Sequence, residues 1–79
     1  MEYSVKFYEN NGDIKNPKMI LDGMLNKMYK HEEIMNMIHS KILFYKDENN
    51  DKHYRLKIMD CLYNINLKAF VFFVEISSK

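Results

Sequence analysis

The sequence predicts an α+β fold, an antiparallel sheet of about four strands with two helices packed on one face, in the order β-α-α-β-β-β. Three observations predict it. EYSVKFYE, residues 2–9, alternates apolar and polar side chains, the period of a half-buried strand. The middle third carries apolar residues at helical spacing, first Ile20, Met24 and Met28, then Ile34, Ile38 and Ile42. The last third returns to strand-like patterns in HYRLKI, LYNINL and AFVFFVEI.

Tyr3, Val5 and Phe7 of the first strand share one face, opposite Ser4, Lys6 and Tyr8. Asn10-Asn11-Gly12-Asp13 ends it with turn chemistry. Asn16-Pro17 reads as a helix start, Asn as N-cap and Pro at the first helical position. The stripe of Ile20, Met24 and Met28, with Leu21 and Leu25 beside it, carries that helix to about Tyr29. Gly23 inside it costs about 1 kcal/mol relative to Ala and suits a close packing approach. A second helix is expected from Glu32 to Tyr45, with Glu32 and Glu33 at its positive N-terminal end. The break near Tyr29-Lys30-His31 is weakly signalled, so one long bent helix is an alternative, and KILFY also reads as a short strand.

KDENNDK, Lys46 to Lys52, has no apolar residue and reads as a solvated loop. Beyond it Tyr54, Leu56 and Ile58 alternate with Arg55, Lys57 and Met59, and Tyr63, Ile65 and Leu67 with Leu62, Asn64 and Asn66. Turns near Met59-Asp60-Cys61 and Lys68-Ala69 would make three antiparallel strands of this region. The last strand is apolar on both faces, Phe70, Phe72, Val74 and Ile76 on one and Val71 and Phe73 with Glu75 on the other, which places it mid-sheet.

At 79 residues the chain is a single domain, residues 1–79. A chain of this size buries only about 60% of the surface it exposes unfolded. Its 47% hydrophobic content argues against disorder. Twelve Lys and Arg against eleven Asp and Glu leave a charge of +1, so any electrostatic partner must be met by local patches. Arg55 is the single arginine, and Asn, Lys, Tyr, Ile and Met are abundant. An AT-rich genome encodes such a composition, as in a phage, a mobile element or a low-GC bacterium. Cys61 alone cannot staple a monomer. The sequence has no apolar signal core and no apolar run near the roughly 20 residues of a membrane span. The expectation is a soluble, cytoplasmic protein with no membrane partner.

HEEIM, residues 31–35, nearly spells the HExxH zinc motif, in which two His one turn apart face one metal. Met35 stands where the second ligand belongs, and His39 lies about 80° around the helix from His31. No metal is expected. Cys61 reads as a small inert thiol, and Gly12 and Gly23 cannot build a phosphate loop. Asp47, Glu48 and Asp51 read as loop rather than paired carboxylates, so no catalytic residue and no cofactor are assigned. Of the seven Met residues, Met35, Met37 and Met59 are candidates for an adaptable binding surface, whereas Met24 and Met28 read as core.

The sheet face away from the helices is the most informative constellation. It is expected to carry Arg55, Lys57, Asn64 and Asn66 with Val71 and Phe73, cations and amides interleaved with an aromatic. Such a mixture suits contact with RNA or protein, a homodimer included.

YSVKFYENNGD, HYRLKI, LYNINL and AFVFFVEISSK, in this order around two helices, resemble the RelE/ParE superfamily of toxin–antitoxin toxins. The resemblance implies a ribosome-associated RNA-binding or RNA-cleaving toxin. Asn64 stands where that family has an arginine, and only Ser77-Ser78-Lys79 stand where its late catalytic residues belong. What carries over is RNA contact by Tyr54, Arg55 and Lys57, with His53 beside them. The leading expectation is therefore a non-enzymatic recognition protein, phage- or mobile-element-encoded, that binds and inhibits a host protein or defence complex through its sheet face. An RNA-directed toxin of the RelE/ParE type is the alternative.

Overall fold

The computed structural model describes residues 1–11 and 16–78, with the Ser78 side chain left aside. Five strands form one mixed sheet: β1 (Glu2–Glu9), β2 (Lys27–Lys30), β3 (Ile42–Asp47), β4 (Lys52–Asn64) and β5 (Ala69–Ser78). Their spatial order is β2-β1-β5-β4-β3, with β1 and β5 parallel and the other neighbours antiparallel. Among the described residues a single α-helix, α1 (His31–Ser40), joins β2 at one edge to β3 at the other and so crosses one face. This corrects the expected purely antiparallel sheet of about four strands with two helices.

The first expected helix does not form. A 3₁₀ turn at Leu21–Gly23 and then β2 take its place. Leu21 (φ 50°), Asp22 (φ 53°) and Gly23 (φ 76°) are all left-handed, a run no right-handed helix can contain. The helical spacing of apolar residues here serves a loop instead. Ile20 and Leu25 are buried as its anchors, while Met19, Met24 and Met28 stay largely exposed. Asn26 Oδ1 accepts the Phe7 N–H at 2.7 Å and Glu9 N–H donates to the Lys18 carbonyl at 2.7 Å, so this loop is tied to β1. Of the turn expected at residues 10–13, Gly12 and Asp13 lie outside the described residues.

The second helix is real but shorter than expected. Glu33 reaches back so that its Oε1 accepts the Lys30 N–H at 2.9 Å, half of a capping box. Lys41 in the left-handed conformation (φ 64°) ends α1. Its N–H donates to the Met37 carbonyl and its own carbonyl accepts the Ile58 N–H at 2.8 Å. The chain turns there into β3, so KILFY is a strand, registered from Ile42 opposite Lys57 to Asp47 opposite Lys52. KDENNDK becomes the end of β3 and a tight hairpin turn, in which buried Asp47 accepts the Asn49 N–H at 3.0 Å.

HYRLKI and LYNINL are not two strands joined by a turn. HYRLKI and the first half of LYNINL, to Asn64, belong to the single 13-residue β4, and Met59 is a bulge between Ile58 (opposite Val74) and Asp60 (opposite Phe73). The turn lies later, so Ile65 and Leu67 are exposed at a hairpin tip instead of in the core. AFVFFVEI is the central strand, flanked by β1 and β4.

The core lies between the sheet and α1 with the Ile20–Leu25 loop. Val5, Phe7, Leu56, Phe72 and Val74 supply its sheet side and Ile34 its helix side. Phe7 and Phe72, neighbours in the parallel pair, stack at 5.2 Å. Burying such rings is worth about 2–3 kcal/mol each.

Candidate functional site: the helix-free face of the sheet

Cross-strand partners share a face of a sheet, so the register fixes what lies opposite the core. Lys6 and Tyr8 come from β1, Val71, Phe73, Glu75 and Ser77 from β5, and Arg55, Lys57, Asp60 and Leu62 from β4. Ile42 and Phe44 come from β3, beside Lys57 and Arg55 respectively. The bulge keeps this set together. Were Met59 instead paired in regular register, strict alternation would place Asp60 and Leu62 on the core side with Ile58.

Two parts of this face differ in character. Around the middle of β5, Val71 is only 3% exposed although no helix covers it among the described residues; it sits between Lys6 and Leu62 on the neighbouring strands. Phe73 is half-buried and packs beside Tyr8 at 6.1 Å between ring centroids. Toward β3, a hollow of about 570 Å³ is lined by Ile42, Arg55, Lys57, Glu75, Ile76 and Ser77. Phe44, 70% exposed, adjoins it as the cross-strand neighbour of Arg55. Among the described residues, no ion pair or hydrogen bond holds the Arg55 or Lys57 side chain. Lys46, farther along β3, is by contrast paired with Asp51 at 3.5 Å.

Of the residues expected at a binding face, Arg55, Lys57, Val71 and Phe73 are brought together. Asn64 lies on the same face at the far end of β4, where its Oδ1 accepts the Leu67 N–H at 3.0 Å and shapes the hairpin. Asn66 is in that turn, off the sheet. His53 follows Arg55 outward on the same face, opposite Lys46. Tyr54 points to the other side, stacked on Tyr45 at 6.3 Å, so His53, Tyr54, Arg55 and Lys57 do not form one surface.

Phe44 and Ile42 are the residues that the helical reading of 32–45 concealed. The strand reading of KILFY was the signal that could expose them, since it pairs Phe44 with the HYRLKI strand. Of the candidate methionines, Met59 is exposed at the bulge, whereas Met35 and Met37 are partly buried against the core. Cys61 faces the core side, and burial, then the neighbouring Asp60 carboxylate, push its thiol above the ordinary range. The protonated form is a weak nucleophile. Among the described residues, no helix is long and apolar enough to cross a membrane. No family model, curated protein or solved structure matches the chain.

Proposed function

We propose that this chain is a recognition protein that captures a partner protein through the helix-free face of its sheet and acts by occluding the surface it covers. The observation that supports this most is Phe44, a large aromatic 70% exposed beside two cations whose side chains no ion pair or hydrogen bond holds among the described residues. Interface hot spots are enriched in aromatic residues and Arg, set in a centre that a partner can desolvate. Ile42, Phe73 and Leu62 extend the apolar strip along the same face. A host protein or protein complex is the expected class of partner, in keeping with the AT-rich, phage-like composition.

The test is capture from a host lysate by the immobilised chain, comparing the wild type with Phe44→Asp. A hot-spot aromatic contributes about 2 kcal/mol or more, so the variant should retain about thirtyfold less of the captured species. Its circular dichroism should be unchanged, because Phe44 is exposed and is not a member of the buried core. Equal capture by the two proteins would refute this reading.

A further inference from the structure

We propose that the hollow between Arg55, Lys57 and Ser77 is a carboxylate anchor, seating one aspartate or glutamate side chain of the partner while Phe44 and Ile42 take its apolar neighbours. This rests on the helix-free face being the capture surface. Arg55 and Lys57 sit two residues apart on β4 and so project side by side, and neither is neutralised by an ion pair among the described residues. Glu75, the register partner of Lys57, lines the same hollow without bridging to it. Among the described residues, two cations against one carboxylate leave a single positive charge to be met.

The arrangement of signs selects the class of anion. A single-stranded nucleic acid needs a track of cations along its repeating phosphates. On this face the signs interleave instead: Lys6, then Asp60, then Lys57 beside Glu75, then Arg55. A polyanion laid along it meets the carboxylates of Asp60 and Glu75 set between its three cations, so no unbroken cationic track is offered to it. One carboxylate meets Arg55, with its planar fork of donors, the Lys57 ammonium and the Ser77 hydroxyl, and stays clear of Asp60 one row away. Glu75 then excludes a second negative charge and restricts the partner to one acidic residue at this point.

The experiment is an amide NMR titration of the full chain with a capped peptide holding one aspartate, acetyl-Tyr-Asp-Phe-Ser-Tyr-amide, its asparagine counterpart, and oligouridylate. The aspartate peptide should move the resonances of Phe44, Arg55, Lys57 and Ser77 and bind about tenfold more tightly than the asparagine peptide, the worth of one charge-assisted bond. That preference should disappear in Arg55→Ala and in Lys57→Met, both with unchanged circular dichroism, and should shrink as salt is raised. Equal affinity of both peptides at Phe44 would overturn the carboxylate anchor and leave the capture face standing. Oligouridylate moving the same resonances at lower concentration would overturn the anchor in favour of nucleic acid. No response of these resonances to either peptide would overturn it outright.

Discussion

Phe7 and Phe72 stack across the parallel β1–β5 pair with centroids 5.2 Å apart and ring planes 17° from parallel. They join the first strand of the chain to the last. Both are essentially removed from water, at 1% and 0% exposure, and Tyr29 closes over Phe7 edge-on at 6.4 Å. Since β1 and β5 lie near opposite ends of the sequence, this contact closes a loop that spans most of the chain.

Phe7→Ala should therefore be the most damaging truncation on β1. Loss of a fully buried phenylalanine costs about 3–5 kcal/mol, while a chain of this length has about 4–12 kcal/mol in all. Urea unfolding monitored by circular dichroism should show a midpoint near or below the onset of the wild-type transition. A loss under about 1 kcal/mol would mean that the β1–β5 seam is not the centre of the core.

The bulge in β4 makes a second, opposite expectation. Met59 is the extra residue: Ile58 opposes Val74 and Asp60 opposes Phe73, the very next position on β5. Deleting Met59 leaves a regular ladder in which Asp60 and Leu62 still face away from the helix and Cys61 and Tyr63 still face toward it. The deletion variant should fold, with urea stability within about 1 kcal/mol of wild type and the Tyr63–Phe70 ring contact retained in NMR spectra. An unfolded product would show that the bulge is needed for closure rather than merely accommodated.

The same residue explains what was legible in the sequence. Tyr3, Val5 and Phe7 were readable because strict alternation has one simple solution, and AFVFFVEI because only a central strand buries both faces. Met59-Asp60-Cys61 broke the alternation, and a bulge and a turn break it identically in one sequence; only pairing with β5 tells them apart. The Ile20–Met28 spacing fits a helix by period, but Leu21, Asp22 and Gly23 answer to the tether from Asn26 to Phe7, a tertiary contact invisible in the local pattern. On the candidate site, Arg55, Lys57 and Phe73 followed from alternation alone. Phe44 did not, because Ile34, Ile38 and Ile42 run through the end of α1 into β3 without a break in helical spacing.

Lys41 occupies the position where that break falls. At φ 64° and ψ −20° it holds a left-handed conformation after α1, which costs a residue with a Cβ about 1 kcal/mol and glycine little. Only its backbone is used, donating to Met37 and accepting from Ile58. Lys41→Gly should relieve that strain and, after the entropic loss of a more flexible unfolded chain, stabilise the protein by about 0.5 kcal/mol. A raised urea midpoint with an unchanged slope is the expected result, and a lowered midpoint would count against the left-handed cap.

Tyr29 sets the alkaline limit of the fold. Its hydroxyl donates to the Leu25 carbonyl at 2.8 Å, and its pKa is raised above the ordinary 10.0 by burial first, then by Glu33 and Tyr45. The folded state thus holds this proton more tightly than the unfolded state does. The stability this linkage contributes is fully present below the unfolded pKa and is lost as pH rises through the folded one, because the unfolded chain ionises first. Unfolding free energy should fall above about pH 10 more steeply in the wild type than in Tyr29→Phe. Near neutral pH the variant should be less stable by about 1 kcal/mol for the lost hydrogen bond, so the two curves should converge as the pH rises. Urea titrations at a series of pH values from neutral to strongly alkaline measure the difference directly, and parallel curves would show that the Tyr29 hydroxyl is solvated in the folded state.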